Sequence, residues 1–285
     1  MLDYFRIYRP INILFIAIAQ FLSAYYLDFS GSLASICSGG IFWLILGTSA
    51  CAAFGYWVND FLDEKRDIIN KPQKMHLSFL PSGVVYLHFL IFILLGLFAG
   101  FKLGLIYLLV FSLVFLVLFL YSKIFRNIAG LGNFIIAFLS FLSIYLIGEL
   151  FTEVDSLLLI HFAMMAGMVN LCREIVKDAE DIEGDSATRS NTFPVVFGLK
   201  ATNIAVYILL LFIISFMVIS LYYQGRFLSK PLIFVYYLYY FLFVFVPLYK
   251  VAIDIRFAEK KSDYSSLSKL LKYVILTGIL SILFF

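Results

Sequence analysis

The chain has 285 residues, of which 63% are hydrophobic and 14% are charged, and its formal net charge is +3. Soluble domains average about 45–50% apolar and about 25% charged residues, so this composition excludes an ordinary soluble fold and indicates a polytopic membrane protein. The small net charge gives no support for nucleic-acid binding. Cys37, Cys51 and Cys172 form no CxxC pair, so neither a disulfide framework nor a cysteine metal site is indicated.

Apolar runs of the length that crosses a bilayer, about 20 residues, recur along the sequence. The stretch from Gly83 to Tyr121 is about twice that length, and we place a hairpin in it at GFKLG, residues 100–104. The first run follows two arginines as a signal peptide would, but a poor cleavage region follows it, so we interpret it as a retained span. The sequence therefore predicts an all-α bundle of nine transmembrane helices at 11–28, 38–58, 84–101, 103–121, 131–150, 157–173, 201–223, 231–249 and 267–285.

The positions of the basic residues test this span count, because Lys and Arg accumulate in cytoplasmic connections. With the N-terminus inside, 18 of the 21 Lys and Arg residues fall on the cytoplasmic side, including Lys269 and Lys272 at the start of the last span. The exceptions are Lys102, Arg226 and Lys230. A missed span would abolish this asymmetry, so it supports both the nine spans and the orientation. We expect an integral protein of the cell membrane.

Two acidic stretches follow the second and the sixth predicted spans. The first reads NDFLDEKRD at 59–67, and the second reads REIVKDAEDIEGD at 173–185. Four crossings separate them, so both are predicted to emerge on the cytoplasmic side. Within each stretch, acidic or amide residues recur every three or four positions, which places them on one helical face. These residues are Asn59, Asp63, Asp67, Asp178, Asp181 and Asp185.

Charge runs after a span are usually solvated loop ends, but two features argue against that interpretation here. Unpaired like charges four residues apart repel each other, and carboxylates near hydrocarbon cost about 2.5–3.5 kcal/mol each. Carboxylate and amide oxygens are ligands that Mg²⁺ accepts together with substrate phosphates, and neighbouring cations could contact phosphate oxygens directly. These cations are Lys65, Arg66, Arg173 and Lys177. The residues alone thus predict a membrane-embedded, Mg²⁺-dependent site for a diphosphate or similar polyanion whose other half is a lipid.

The two stretches resemble the NDxxDxxxD and DxxDxxxD motifs of UbiA-type intramembrane prenyltransferases. Both motifs together, 111 residues apart from Asp67 to Asp178 with four spans between them, are a specific signature. The resemblance covers most of residues 1–198. Further segments agree with the family in chain order, namely RPIN at 9–12, NKP at 70–72, YSKIF at 121–125, GN at 132–133 and TFPVVFG at 192–198.

The resemblance implies one membrane-embedded prenyltransferase domain over residues 1–285, with Mg²⁺ as cofactor and an isoprenyl diphosphate as substrate. In such enzymes metal and basic residues stabilise the departing diphosphate, and an acceptor takes the allylic cation. The implied metal ligands are Asn59, Asp60, Asp63, Asp67, Asp178, Asp181 and Asp185. The implied substrate contacts are Asn59, Arg66, Lys71, Lys74, Arg126, Arg173 and Lys177. Catalytic roles are implied for Asp63, Asp67, Asp178, Asp181 and Tyr121.

Within the family, the second stretch together with RPIN and GN is most similar to the digeranylgeranylglyceryl phosphate synthase group. That similarity implies transfer of a geranylgeranyl group to the hydroxyl of geranylgeranylglyceryl phosphate, at a site facing the cytoplasm. An aromatic quinone precursor or a tetrapyrrole is an alternative acceptor. A cation-coupled transporter is a remoter alternative, which predicts carboxylates near span centres. One segment departs from the family, because QKMHLSFLPSG at 73–83 lacks the usual Arg-Pro pair. Lys74 could replace the missing arginine. Acceptor identity, prenyl length and oligomeric state stay open.

Overall fold

The computed structural model describes residues 7–27, 40–70, 77, 80–151 and 154–285. The predictions made for Lys71 and Lys74 concern residues outside these ranges. The α-helices of the described chain are α1 (Pro10–Tyr26), α2 (Ile41–Leu62), α3 (Glu64–Asn70), α4 (Ser82–Leu103), α5 (Leu105–Lys123), α6 (Leu131–Leu150), α7 (Ser156–Glu180), α8 (Ile182–Ala187), α9 (Phe193–Gln224), α10 (Lys230–Tyr240), α11 (Val246–Asp254) and α12 (Lys261–Leu280).

The predicted nine-helix bundle is confirmed. Eight helical segments of the described chain are long and apolar enough to cross a membrane, and α1, with 17 residues, is a shorter apolar helix. Large apolar side chains cover the outside of the bundle, as lipid-facing helices require; Leu105 is 71% exposed and Ile219 is 75% exposed. The helix ends differ from the prediction at the site. α7 continues to Glu180 instead of ending at 173, and α12 begins at Lys261 instead of 267.

The predicted hairpin between α4 and α5 turns at Gly104. This residue has a φ of 117°, a conformation that favours glycine because it has no Cβ. Gly100 lies one turn earlier, where a Cβ would be only 2.8 Å from the Leu108 Cα. The two glycines therefore let the chain reverse tightly and let α4 and α5 pack closely together.

The eighth span contains a wider, π-helical turn between α10 and α11, at residues 241–245. Pro247 explains this turn, because proline lacks an N–H and its ring would clash with the carbonyl of Phe243 in a regular helix. The Thr277 hydroxyl on α12 donates a hydrogen bond to that carbonyl at 2.8 Å. The freed backbone acceptor is thus satisfied inside the bundle, and the apolar segment continues from Lys230 to Phe257.

Two apolar cores fill the bundle, and α7 belongs to both. The first core lies among α1, α2 and α4–α7 and contains the fully buried Trp57 and Leu158. The second lies among α7 and α9–α12 and contains the fully buried Tyr236 and Val176. Because α7 also carries the second acidic stretch at its end, its packing in both cores fixes that stretch relative to the rest of the molecule.

Candidate active site

Each acidic stretch contains a helix break at an aspartate. α2 ends at Asp63, with φ −95° and ψ 8°, and α7 ends at Asp181, with φ −96° and ψ 9°. Each aspartate N–H still bonds to the carbonyl four residues earlier, at 2.9 Å in both cases, and the short helices α3 and α8 follow. The expectation of one continuous helical face in each stretch is therefore wrong. Asp favours such sparsely populated, end-of-helix conformations.

The short helices α3 and α8 pack together and join the two stretches. The Arg66 guanidinium on α3 contacts Asp63 Oδ1 at 2.5 Å and Asp185 Oδ1 at 3.0 Å. One turn later, the Asn70 amide donates to the Asp181 carbonyl at 3.0 Å and accepts from the Gly184 N–H at 3.0 Å. The meeting of the stretches, predicted from the number of crossings between them, is thus present in the structure.

Asp185 is the most enclosed carboxylate of the site, with 1% of its surface exposed. Its Oδ1 faces Arg66, and its Oδ2 accepts a hydrogen bond from the Thr192 hydroxyl at 3.0 Å. Thr192 opens the TFPVVFG segment, so that segment supports the second acidic stretch. Both oxygens of Asp185 are therefore engaged by protein groups.

The connection between α5 and α6 supplies one polar side chain to each stretch. Arg126 donates to Asn59 Oδ1 at 2.5 Å and also contacts the Asp63 carboxylate. The Asn133 amide donates to Asp178 Oδ2 at 2.7 Å. Burial lowers the pKa of Arg126, although the nearby Asp178 and other carboxylates of the second stretch act to raise it. The YSKIF and GN segments thus position partners for both acidic stretches.

A cavity of about 280 Å³ opens between the stretches. Eight of the predicted site residues line it, namely Asn59, Asp67, Tyr121, Arg126, Arg173, Lys177, Asp178 and Asp181. Four others lie behind this wall and contact one another or its members, namely Asp60, Asp63, Arg66 and Asp185. The structure therefore gathers every predicted site residue that it describes into one place.

The composition of the cavity wall changes with depth. Beyond the charged residues come small polar side chains, including Asn170, whose amide donates to the Ser140 hydroxyl at 2.6 Å. Farther from the acidic residues along α5 and α12, the wall includes the apolar residues Phe111 and Ile279. A cavity with a charged end and an apolar end fits a molecule that combines an anionic head with a hydrocarbon chain.

Several polar residues of this cavity were not predicted as site residues from the sequence. Arg9 pairs with Asp60 at 3.0 Å, and its guanidinium lies 4.7 Å from the centre of the Tyr56 ring. Glu174 pairs with Arg173 at 2.9 Å. Arg9 is the arginine of the RPIN segment, so the family resemblance included this residue without implying a role for it. The other unpredicted polar members are Asn12, Thr48, Ser140, Ser143, Asn170 and Lys272.

The donor chemistry of the site fits Mg²⁺. Three carboxylates and one amide line a single wall, and such hard oxygen donors are those that Mg²⁺ prefers; these are Asp67, Asp178, Asp181 and Asn59. In the described ranges, no three acidic, His or Cys side chains converge closely enough to hold an ion. Arg66 pairs with Asp63 and Asp185, and Arg126 contacts Asp63 and Asn59, so these positions would exchange partners in order to hold an ion.

Comparison with known proteins identifies the family. A model described as the UbiA prenyltransferase family matches residues 13–276. The chain belongs to the UbiA prenyltransferase family. The match extends from α1 into α12, beyond the residues 1–198 over which the motifs resemble it, and it confirms the predicted membrane prenyltransferase.

Individual relatives agree with this assignment. The digeranylgeranylglyceryl phosphate synthase of Methanothermobacter thermautotrophicus is 30% identical over 208 residues, which are 72% of this chain and 70% of that protein. A UbiA homologue from Aeropyrum pernix K1 has a similar structure, with a TM-score of 0.71 at 12% identity, over 95% of this chain and 97% of that one. A UbiA homologue from Archaeoglobus fulgidus bound to DMAPP and Mg²⁺ has a TM-score of 0.66 at 18% identity, over 98% and 99% of the two chains. The structural matches show a shared fold.

Proposed function

We propose that this UbiA family member transfers a geranylgeranyl group from geranylgeranyl diphosphate to the hydroxyl of geranylgeranylglyceryl phosphate. The observation that carries the proposal is the cavity, where two acidic stretches meet at the mouth and apolar residues form the far end. The relatives named digeranylgeranylglyceryl phosphate synthase support this choice of substrates. In the reaction, the bond between the prenyl C1 and the diphosphate oxygen breaks with its electron pair leaving on the diphosphate. The acceptor oxygen then bonds to C1 and loses its proton.

We assign Mg²⁺ binding first to the cavity wall, namely to Asn59, Asp67, Asp178 and Asp181. Asp60, Asp63 and Asp185 are the further proposed ligands, which would exchange their present arginine partners for the ion. When bound, Mg²⁺ neutralises negative charge on the leaving diphosphate. Arg126, Arg173 and Lys177 line the same wall and would donate to the diphosphate oxygens.

The remaining residues of the cavity would position and protect the reacting carbon. Tyr121 lies on the wall that carries the carboxylates, where its hydroxyl would donate to the departing oxygen. The apolar end, including Phe111 and Ile279, would hold the prenyl chain and exclude water from the allylic cation. The helix breaks at Asp63 and Asp181 bring the carboxylates to the cavity mouth rather than to the span centres, which favours an enzyme over a cation-coupled transporter.

We further propose that residues 1–285 act as one domain in the cell membrane, with the site facing the cytoplasm. The predicted placement of most of the Lys and Arg residues on one side supports this orientation. The sharing of α7 between both cores supports the single domain. A cytoplasmic site would receive Mg²⁺ and release diphosphate directly into the cytoplasm.

In the test, purified protein in lipid nanodiscs is incubated with radiolabelled geranylgeranyl diphosphate and one acceptor at a time. The three acceptors are geranylgeranylglyceryl phosphate, an aromatic quinone precursor and a porphyrin alcohol. We expect label only in the glyceryl phosphate product, and we expect EDTA to abolish the transfer and added Mg²⁺ to restore it. Label in the aromatic or porphyrin product alone would overturn the acceptor assignment. Transfer that survives metal removal would overturn the role of the acidic residues.

A further inference from the structure

Lys272 is a charged residue in the interior of the bundle, and the proposed diphosphate site does not use it. From the sequence we placed it among the cytoplasmic charges, but it lies eleven residues after Lys261, the first residue of α12. At 1.5 Å per residue this is about 16 Å along the helix axis. Its side chain lines the cavity, and its ammonium lies 5.6 Å from the centre of the Phe15 ring on α1.

The ammonium of Lys272 has no carboxylate partner among the described residues, since no Asp or Glu oxygen there forms an ion pair with it. Ionisable groups at membrane depth are costly, so an intramembrane lysine that faces a cavity indicates a functional role. The other lysine of this helix segment, Lys269, is exposed and lies off the cavity wall. The position of Lys272 therefore indicates that the cavity binds an anion near its ammonium.

Two arginines line the same cavity as Lys272. Arg9 and Arg173 both line the cavity, and each is already paired with one carboxylate, Asp60 and Glu174 respectively. Glu174 is shared with Lys177, whose ammonium lies 3.6 Å from its other carboxylate oxygen, and neither Asp60 nor Glu174 forms an ion pair with Lys272. Arginines can also keep one carboxylate bond while they offer further N–H groups to a second acceptor.

Arg173 and Lys272 lie deeper than the carboxylates of the mouth, whereas Arg9 pairs with Asp60 of the first acidic stretch. Arg173 precedes Asp178 by five residues on α7, which corresponds to about 7.5 Å along the helix axis. Arg173 is also a proposed donor to the diphosphate, so it would contact both anions. Lys272 lies deeper, because Phe15 beside its ammonium follows Arg9 by six residues on α1, which is about 9 Å along the helix axis. Polar neutral groups surround them, including Asn12 and Asn170 on the cavity wall.

We infer that Arg9, Arg173 and Lys272 form a second anion subsite, which binds the phosphate monoester of the lipid acceptor. The inference rests on the proposed function, because it requires an acceptor that carries a phosphate. In a glycerol phosphate only a few bonds separate the phosphate from the free hydroxyl. Binding the phosphate at this depth therefore presents the hydroxyl toward the carboxylate wall, where the prenyl C1 is released. The charge of Lys272 selects a charged acceptor over a neutral one.

The kinetic test compares Lys272→Gln with Lys269→Gln as the control on the same helix, in nanodiscs with Mg²⁺. For Lys272→Gln we expect the KM for geranylgeranylglyceryl phosphate to rise about ten- to hundredfold, the loss of one charged hydrogen bond. The KM for geranylgeranyl diphosphate should not change, and Lys272→Arg should restore most of the acceptor affinity. With the phosphate-free acceptor geranylgeranylglycerol, Lys272→Gln and the unmodified protein should react equally poorly. A KM effect on the diphosphate instead, or on neither substrate, would overturn the subsite.

A binding measurement separates this inference from the proposed reaction. Binding of radiolabelled geranylgeranylglyceryl phosphate without donor should be weakened by Lys272→Gln and unchanged by Lys269→Gln. If the unmodified protein binds this lipid through Lys272 but transfers nothing to it, the subsite stands and the proposed reaction fails. If transfer is normal and Lys272→Gln does not weaken binding of the lipid, the reaction stands and the subsite fails. If the unmodified protein neither binds nor prenylates the lipid, both fail.

Discussion

The two acidic stretches share a backbone but differ in how their carboxylates are held. In both, a long helix ends at an aspartate with nearly identical φ and ψ, and a short helix follows. In the first stretch the partners are guanidinium groups: Arg9 holds Asp60, while Arg66 and Arg126 hold Asp63. The first stretch is therefore held mainly by buried ion pairs.

In the second stretch, neutral hydrogen-bond donors hold two of the carboxylates. The Asn133 amide holds Asp178, and the Thr192 hydroxyl shares Asp185 with Arg66. The difference teaches that equivalent motif positions need not contribute equally to stability. Removing Asp63 from the first stretch takes the carboxylate partner from the buried Arg126, whereas removing Asp178 from the second leaves only the neutral Asn133 amide unpaired, which costs less.

Asp63→Ala and Asp178→Ala should show the largest effects and should separate activity from stability. Each should lower prenyl transfer at least about a hundredfold, since each removes a proposed metal ligand that stabilises charge on the leaving group. Asp63→Ala should also destabilise the fold by about 3–5 kcal/mol, because Arg126 loses its buried carboxylate partner, while Arg66 keeps its pair with Asp185. Asp178→Ala should cost only about 1–3 kcal/mol, the desolvation of one unpaired amide. Transfer assays and thermal unfolding in detergent measure the two quantities.

The control for this pair is Asp254→Ala on α11. Asp254 pairs with Lys250 at 2.9 Å, but both side chains are largely exposed, so its loss should change neither stability nor transfer measurably. Equal destabilisation by Asp63→Ala and Asp178→Ala would contradict the distinction between the stretches. Full activity in either variant would remove that residue from the proposed metal site.

The sequence predicted those features that depend on local pattern. Apolar runs of bilayer length predicted the nine helices, and GFKLG predicted the hairpin, because Gly104 is needed at a positive φ. Counting crossings placed both acidic stretches on one side, and the contact between Arg66 and Asp185 agrees with that count. The family resemblance named the residues that the cavity brings together.

The features that the sequence did not predict depend on tertiary contacts. No Gly or Pro marks the breaks at Asp63 and Asp181, and the regular spacing of the acidic residues favoured uninterrupted faces. The breaks become understandable only with Asn70, which bonds to the backbone of the opposite stretch. Lys272 was placed with the loop charges because a hydropathy boundary cannot show that α12 begins at Lys261 and turns this side chain toward α1.

Gly184→Ala should have an intermediate effect and tests the contact that joins the two stretches. A Cβ at Gly184 would lie 2.6 Å from Asn70 Cγ, so the Asn70 side chain would have to move and would lose its bonds to the second stretch, or α3 and α8 would have to separate. We expect a loss of about 1–3 kcal/mol, typical of overpacking, together with reduced transfer because the carboxylates move apart. Gly278→Ala is the matched control, since a Cβ there meets nothing within 4 Å.

The double variant Asn70→Ala with Gly184→Ala identifies the cause of that loss. Shortening Asn70 removes the overlap, so the double variant should be less destabilised than the sum of the two single changes. Additive effects would show that the Asn70 side chain is not what excludes a methyl group at position 184.

Thr192→Val should have the smallest effect, and it tests how strongly a neutral donor holds a carboxylate of the second stretch. The change removes the hydroxyl that donates to Asp185 Oδ2 but keeps the shape of a side chain that is 2% exposed. We expect a loss of about 1 kcal/mol, the net value of one hydrogen bond, because Arg66 still pairs with Oδ1 of Asp185. Ser215→Ala, which removes an exposed hydroxyl from α9, the helix that follows Thr192, should leave the unfolding temperature unchanged. A loss as large as that of Asp63→Ala would mean that neutral donors hold the second stretch as strongly as ion pairs hold the first.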